Sequence, residues 1–272
     1  MNVPQLFAYF IQVDFSATPY DVTGSGQNRI KHYFPHIIVD FDLKIAIRRG
    51  LVKTIAIDKR KEITDLPLDF AAIREGKEVI GLSDGQKLMI RAGLKKLKIL
   101  EDNFVEFAES DDTVSDKQSL ISPRSIKYPK MLIMCEDTKV TPLVVEFLLS
   151  EGLAAEDVIR VDSDKKGDIP KAEWLELKQK LFNIDKRKSP KVIVSVLMLR
   201  EGFDVNNICV IVPLRATSAP ILLEQTIGRG LRLMWREPEF SEIKQDNIKH
   251  LLSEKKEPGN YLDLLMIVEH PA

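Results

Sequence analysis

The sequence contains only two cysteines, Cys135 and Cys209, and both lie within apolar stretches that are typical of strands. This excludes a framework of disulfide bonds and fits the reducing cytosol. The four histidines stand at no metal-ligand spacing from these cysteines, so a zinc motif is excluded as well. Long apolar runs and a signal peptide are also lacking, and we therefore expect a cytoplasmic protein with no membrane partner.

An excess of either charge is lacking too. Lysine and arginine number 40, aspartate and glutamate number 41, and the formal net charge is −1. No overall field would attract nucleic acid or an anionic membrane, so DNA binding would require a local surface. Short basic clusters such as Lys186-Arg187-Lys188 are more typical of solvated faces than of binding patches.

A complete phosphate-binding loop is the third absence. The pattern G-x-x-x-x-G-K-[ST] does not occur, and Gly24-Ser25-Gly26 is not followed by the required lysine. That pattern supplies the backbone N–H groups and the lysine that grip the phosphates of a nucleotide. Its absence disfavours an enzyme with a self-contained nucleotide site.

From residue 131 onward, short apolar strands alternate with helices. Such alternation is typical of a parallel sheet that is covered by helices on both faces. Ligands of such sheets bind at the carboxyl ends of the strands, which directs attention to the loops after Cys135, Val196 and Val212. The predicted strands are residues 131–135, 158–161, 191–196 and 208–212, and the predicted helices are residues 141–152 and 170–184.

The remainder of the chain is less regular. Thr141 would cap the helix that follows residue 140, and Gly152 would end it. Since apolar strands stand close to both ends of the sequence, we expect a fragment of a longer protein. We predict further strands at residues 6–15, 37–43, 52–57 and 261–268, a helix at residues 85–109, a loop-rich segment at residues 21–36 and a polar linker at residues 110–129.

The most informative segment is a predicted amphipathic helix. Gln225, Arg229 and Arg232 stand at i, i+4 and i+7 and would project from one side of it. Gly228 and Gly230 remove two Cβ atoms, which a helix accepts when something approaches its backbone closely. Two guanidinium groups over a bare patch suit an anionic ligand such as a phosphate chain, but a solvated amphipathic helix explains the spacing equally well. The opposite, apolar side would be buried through Leu223, Ile227, Leu231 and Met234.

The loop after the strand at residues 191–196 carries a second group of candidates. Ser195 ends the strand and could meet a phosphate, and Gly202 permits an unusual backbone angle. Asp204 could bind a ribose hydroxyl or an arginine. Taken alone, a plain crossover turn explains this loop better than a binding site does.

Three motifs occur in a set order along the chain. They are Ser16-Ala17-Thr18 after a strand, residues 200–204 after another strand, and residues 225–232 on the helix just beyond. In this order they resemble motifs III, V and VI of superfamily 2 helicases. The chain looks most like the helicase subunit of type III restriction enzymes, and the resemblance is carried by residues 14–20, 50–53 and 200–233.

The resemblance implies an ATP site between two RecA-like domains, of which this chain would hold the second. Arg229 and Arg232 would be catalytic residues that stabilise charge developing on the γ-phosphate, an effect typically worth ~10³–10⁵ in rate. A phosphate loop and the Mg²⁺ ligands would belong to an amino-terminal RecA-like domain that this sequence lacks. The nucleotide would also contact Gly202, Asp204, Gln225 and Gly228, and nucleic acid would contact Thr18, Cys135 and Ser195.

The implied fold is α/β, with a RecA-like parallel sheet that carries helices on both faces and is preceded by a strand remnant of the first RecA-like domain. Four parts are implied along the chain. They are the end of the first RecA-like domain at residues 1–20, a linking α/β segment at residues 21–127, the second RecA-like domain at residues 128–240, and the truncated start of a following region at residues 241–272.

The implied function is that of the carboxyl-terminal half of an ATP-dependent DNA helicase or translocase. Double-stranded DNA and a methyltransferase or specificity subunit would be its partners, and this chain alone would be catalytically incomplete. Three alternatives remain open at the level of the sequence: a non-catalytic nucleic-acid-binding module, another nucleotide-dependent α/β enzyme, and an inert gene fragment.

Overall fold

In the computed structural model, contacts divide the chain into two units, Met1–Asp40 and Phe41–Ala272. In the first unit, β1 (Tyr20–Thr23) pairs with β2 (Ile30–Tyr33) as an antiparallel hairpin. The prediction of a loop-rich segment there is therefore wrong in part, because β-branched and aromatic residues favour strands on both sides of the turn. The structure describes residues 20–24, 28, 30–33, 41–58, 68–109, 127–161, 181, 184–196, 205–214, 226–254 and 256–270.

The second unit is built on a parallel sheet of six described strands. Each described pair within it is parallel, which confirms the predicted α/β class. A separate hairpin, β4 with β5, lies outside this sheet. The strands are β3 (Thr54–Asp58), β4 (Ile73–Glu75), β5 (Glu78–Gly81), β6 (Lys130–Met134), β7 (Val158–Val161), β8 (Val192–Ser195), β9 (Ile208–Pro213) and β10 (Leu264–Val268), and the sheet order is β3-β10-β9-β6-β8-β7.

The helices described from end to end are α1 (Leu43–Arg48), α2 (Asp84–Glu109), α3 (Val140–Ser150) and α4 (Ser241–Ile248). Short 3-10 segments occupy Ala155–Asp157, Ile184–Lys186 and Pro238–Phe240, and a π-helical turn occupies Lys249–Glu254. Because the sheet is parallel, both of its faces need an apolar cover. One face packs against α2 and α3 through Ile90, Leu100, Phe104, Val144 and Leu148. The other face packs against Leu181, Ile184, Val205 and Leu231.

The strands predicted from apolar runs at residues 131–135, 158–161, 191–196, 208–212, 52–57 and 261–268 are confirmed, as is the long helix. The strand predicted at residues 37–43 is wrong at its described end, since Leu43 begins α1. Asp42 causes this start, because its Oδ1 accepts hydrogen bonds from the N–H groups of Lys44 (2.6 Å) and Ile45 (3.2 Å).

The predicted start of α3 is also wrong. Thr141 lies inside the helix, and the cap comes from Asp137, whose Oδ1 accepts from the N–H groups of Lys139 (2.8 Å) and Val140 (3.3 Å). A carboxylate at a helix amino terminus is favoured because it satisfies N–H groups that have no partner inside the helix. The predicted end is confirmed, because α3 stops at Ser150 and Gly152 adopts a φ of +97°.

Several predictions lie outside the described residues: the strand at residues 6–15, nearly all of the helix at residues 170–184, and the linker at residues 110–129 except for its last three residues. The four-part division of the chain stays a prediction. The six-stranded sheet also includes β3, which lies before residue 128, and β10, which lies after residue 240. Within the described parts of the chain, none of the helices combines the length and the apolar character that crossing a membrane requires.

The close approach of α2 to the sheet depends on Gly93. A Cβ atom added there would lie 2.4 Å from Cγ2 of Val212 and 2.8 Å from Sδ of Met131. We expect Gly93→Ala to destabilise the fold by about 1–3 kcal/mol, because overpacking outweighs the ~1 kcal/mol gain in helix propensity. Urea denaturation measures the change.

Gly228→Ala provides the matched control for Gly93→Ala. Gly228 also lies in a helical turn, but an added Cβ would meet nothing within 4 Å. This substitution should leave the free energy of unfolding unchanged or raise it by up to about 1 kcal/mol. If both substitutions stabilised the protein, the close packing at Gly93 would be contradicted.

Candidate functional site

The predicted arginine helix begins within a described helical turn at residues 226–230, on the sheet face opposite α2. A Cβ atom added to Gly230 would lie 2.8 Å from Cδ1 of Leu265 and 3.2 Å from Cδ1 of Ile211. The close approach at Gly230 is therefore to the sheet, and not to a ligand. Gly228 is exposed and has open space over its backbone, so it provides the bare surface that the sequence led us to expect.

The predicted helix is wrong at its carboxyl end. The N–H of Leu231 still bonds to the carbonyl of Ile227 (3.0 Å), but the carbonyl of Leu231 accepts from the backbone N–H of Lys53 (2.8 Å). The N–H groups of Met234 and Trp235 donate to Oδ1 of Asp263 (2.8 and 3.4 Å). Hydrogen bonds to the residues that directly precede β3 and β10 thus replace the helical ones. Arg232 lies in the bend beyond the helix.

We call residues 226–235 the arginine segment. The segment runs across β9 and β10 and reaches the amino-terminal edge of the sheet, because Lys53 directly precedes β3 and Asp263 directly precedes β10. Leu231 and Met234 are buried, as the apolar stripe predicted. Arg229 and Arg232 are both half-buried. The segment therefore offers two partly exposed guanidinium groups beside the open backbone of Gly228.

A buried polar group lies beneath the arginine segment. Nζ of Lys53 has no exposed surface and donates to the carbonyls of Asn206 (2.6 Å) and Ile208 (2.7 Å). Burial lowers the pKa of Lys53, while the neighbouring Cys209 and Asp263 oppose that shift. Burial likewise raises the pKa of the Cys209 thiol. Burying such groups costs stability unless they are well paired, so this cluster marks the edge of the sheet as a specialised region.

Asp263 and Lys244 form the second half of this group. Nζ of Lys244 lies 3.3 Å from Oδ2 of Asp263 and donates to the carbonyl of Trp235 (2.5 Å). Asp263 has a φ of 49°, in the left-handed region that few residues other than glycine adopt. The sequence reasoning missed Lys53, Lys244 and Asp263. Lys53 and Asp263 could have been found from the sequence, because each is a charged residue within a predicted core strand.

Cys135 and Ser195 meet at the opposite, carboxyl-terminal edge of the sheet. The N–H of Cys135 donates to the carbonyl of Ser195 (2.8 Å), and both side chains are buried. Contact with nucleic acid at either residue stays a prediction, and it would have to use the backbone or neighbouring side chains. The adjacent Glu136 and Asp137 both accept hydrogen bonds from Arg74 (3.2 and 2.6 Å).

The structure thus joins some predicted site residues and separates others. Gly228, Arg229 and Arg232 share one segment, and Cys135 and Ser195 share the other edge of the sheet. The helical turn at Gly230 packs against Ile211 and Leu265, within β9 and β10, whereas Cys135 and Ser195 lie where β6 and β8 end. Thr18, Gly202, Asp204 and Gln225 lie outside the described residues.

Lys130 is a further buried lysine at the amino-terminal edge. Its Nζ donates to the carbonyls of Arg187 (2.5 Å) and Lys188 (3.0 Å), and burial lowers its pKa to about 8 from the ordinary 10.5. The folded protein therefore loses this proton at lower pH than the unfolded chain does. Between about pH 8 and pH 10.5, stability contributed by Lys130 should rise with pH.

We expect Lys130→Met to remove this rise. From pH 7.5 to pH 10, the free energy of unfolding of the parent should gain up to about 2 kcal/mol relative to the variant. Urea denaturation at the two pH values measures the difference. Lys188→Met is the control, because Lys188 is exposed and keeps its carbonyl. Equal pH dependence in the parent and in Lys130→Met would contradict the assignment.

Comparison with known proteins gives a local similarity. A stretch of 110 residues is 30% identical to the type I restriction enzyme EcoKI endonuclease subunit of Escherichia coli (strain K12). It covers 38% of this chain and 9% of that subunit, so the chain spans less than a tenth of the relative's length. No family model matches the chain. Among the described residues, no group of three histidine, cysteine or carboxylate side chains is arranged to hold a metal ion.

Proposed function

We propose that this chain contributes half of an ATP site to an ATP-dependent DNA helicase or translocase. That enzyme would be the helicase subunit of a type III restriction system. The observation that carries the proposal is the arginine segment, in which Arg229 and Arg232 are half-buried next to the bare backbone of Gly228. The parallel α/β sheet and the local similarity to a restriction endonuclease subunit support it.

In this proposal, two side chains of the chain bind the phosphates of the nucleotide electrostatically. Arg229 and Arg232 would donate hydrogen bonds to the phosphate chain of ATP, which planar guanidinium groups bind in a fixed geometry. Bound ATP would supply the phosphoryl group, and Mg²⁺ would be held by an amino-terminal RecA-like domain with its own phosphate loop. The same nucleotide would contact Gly202, Asp204 and Gln225.

The other proposed partners are double-stranded DNA and a methyltransferase subunit. DNA would lie along the carboxyl-terminal edge of the sheet, near Cys135 and Ser195, and Thr18 would couple it to the first domain. Closure of the two domains on ATP would then change the grip on DNA.

The test compares ATP hydrolysis by this chain alone with hydrolysis by a protein that also carries an amino-terminal RecA-like domain, each with duplex DNA. We expect hydrolysis only from the second protein. Robust hydrolysis by this chain alone would overturn the half-site proposal. DNA affinity that falls steeply with salt but ignores nucleotide in both proteins would instead identify a non-catalytic nucleic-acid-binding module.

A further inference from the structure

The position of the arginine segment is set by residues far away in the sequence. Its carboxyl-terminal part makes no regular helix after Gly230, and its backbone is held by Lys53 and Asp263. Asp263 makes the larger contribution, because one carboxylate oxygen accepts from two consecutive N–H groups, those of Met234 and Trp235. These amides follow Arg232 by two and three residues. We call the two hydrogen bonds to Asp263 the clamp, and it lies directly beside the proposed ATP site.

The conformation of Asp263 aims its carboxylate at the segment. Its φ of 49° turns the chain sharply before β10, while its carbonyl accepts from the N–H of Thr54 at the start of β3 (2.9 Å). Aspartate tolerates this left-handed conformation better than most residues, yet it remains unfavourable. The surrounding structure therefore has to enforce it, and the hydrogen bond from Thr54 of β3 contributes to this.

Two lysines lie around this buried carboxylate. Nζ of Lys244 lies 3.3 Å from Oδ2 and also donates to the carbonyl of Trp235, which closes a ring around the two clamped amides. The second lysine is the buried Lys53, which is near enough to Asp263 to interact with it electrostatically and whose Nζ donates to the carbonyls of Asn206 and Ile208. The carboxylate of Asp263 is thus held by Lys244 at one oxygen and by two backbone N–H groups at the other, as a positioning group needs to be.

We propose that Asp263 is a positioning residue for Arg229 and Arg232, an inference that rests on the proposed function. By holding the backbone at Met234 and Trp235, Asp263 sets where the two guanidinium groups stand relative to a bound phosphate chain. A displacement of about 1 Å in a catalytic group costs up to ~10²-fold in rate. Loss of the clamp should therefore lower kcat and leave KM nearly unchanged.

Two substitutions distinguish the effect of losing the carboxylate from the effect of changing the backbone conformation. Asp263→Gly permits the left-handed φ but removes the acceptor, whereas Asp263→Asn retains an acceptor oxygen and also tolerates the φ. Amide hydrogen exchange on this chain is the first readout. In Asp263→Gly, exchange at Met234 and Trp235 should accelerate about tenfold or more, with the amides of β6 unchanged, and Asp263→Asn should show a smaller effect. Unchanged exchange at both amides in both variants would overturn the clamp, whatever the function of the protein.

The second readout is ATP hydrolysis in the protein that carries both RecA-like domains. Asp263→Gly should lower kcat by about 10–10²-fold with KM within about twofold, and Asp263→Asn should restore much of the loss. In an Arg229→Ala, Arg232→Ala background, Asp263→Gly should have no further effect, because it acts through those arginines. A structural defect would lower the rate in both backgrounds. Asp102→Asn, in an exposed ion pair on α2, is the control.

The remaining outcomes are distinct. In one outcome, Asp263→Gly accelerates exchange but does not change kcat, while Arg229→Ala still inactivates the protein. This would overturn the positioning role and leave the proposed function standing. An equal further loss of rate in the double-arginine background would also overturn it. If Arg229→Ala and Arg232→Ala leave hydrolysis unchanged, the proposed function fails, and the positioning role fails with it.

Discussion

Arg229→Ala and Arg232→Ala are each expected to lower the rate of DNA-dependent ATP hydrolysis by about 10³-fold or more in a protein that carries both RecA-like domains. A guanidinium group that neutralises charge on the transferred phosphoryl group acts mainly in the transition state, so kcat should fall far more than KM rises. Steady-state hydrolysis over a range of ATP concentrations measures both. Arg232→Lys should recover only part of the rate, because an ammonium group lacks the planar fork.

Arg236→Ala is the matched control, four residues beyond Arg232. Arg236 is exposed, and its Nε donates only a long hydrogen bond to the carbonyl of Leu233 (3.3 Å). Its loss should change the rate less than about twofold, as expected for an exposed side chain with little energetic role. Should the protein hydrolyse ATP and tolerate both inner arginine substitutions, the arginine segment is a structural surface and the central assignment fails.

Lys244→Met is expected to destabilise the protein by about 3 kcal/mol or more. The side chains of Lys244 and Asp263 are only 10% and 3% exposed, so removing the ammonium group leaves a carboxylate buried without its ion-pair partner. Breaking a buried pair in this way typically costs ~3–5 kcal/mol. The carbonyl of Trp235 also loses its donor, while methionine preserves most of the buried aliphatic volume. Urea denaturation gives the change in the free energy of unfolding.

An exposed pair in the same molecule calibrates this result. Nζ of Lys98 lies 2.6 Å from Oδ1 of Asp102 on α2, and the two side chains are 69% and 63% exposed. Water and salt screen such a pair, so Lys98→Met should leave the urea midpoint of unfolding nearly unchanged. Equal losses at Lys98 and Lys244 would mean that burial does not decide the strength of the inner pair.

The parts of the fold that were predicted correctly depend on local pattern alone. The strands β6, β8 and β9 are continuous apolar runs, as strands buried on both faces must be, and α2 has helical periodicity over its whole length. The errors occur where a distant group decides the local structure. The arginine helix ends early because Lys53 and Asp263 provide better partners for its backbone than a continued helix would.

The candidate site was predicted in the same uneven way. Spacing along the sequence was enough to single out Arg229, Arg232 and Gly228. It could not indicate that Gly230 accommodates Leu265 and Ile211, or that Asp263 lies under the segment, since those contacts require the order of the strands. No feature of a single sequence reports that β10 inserts between β3 and β9.

The position of β10 has a consequence for how the protein is made. Thr54 of β3 pairs with Leu264 of β10, so the two partners lie far apart in the sequence. The ribosome must therefore synthesise every residue between these strands before β3 meets its described neighbour. Pairings this distant in sequence form slowly, and β3 stays exposed to wrong partners meanwhile. Asp263 directly precedes β10, so the arginine segment gains its final shape only after the ribosome has synthesised residue 263. A nascent chain that ends before β10 would therefore lack the hydrogen bonds from Met234 and Trp235 to Asp263.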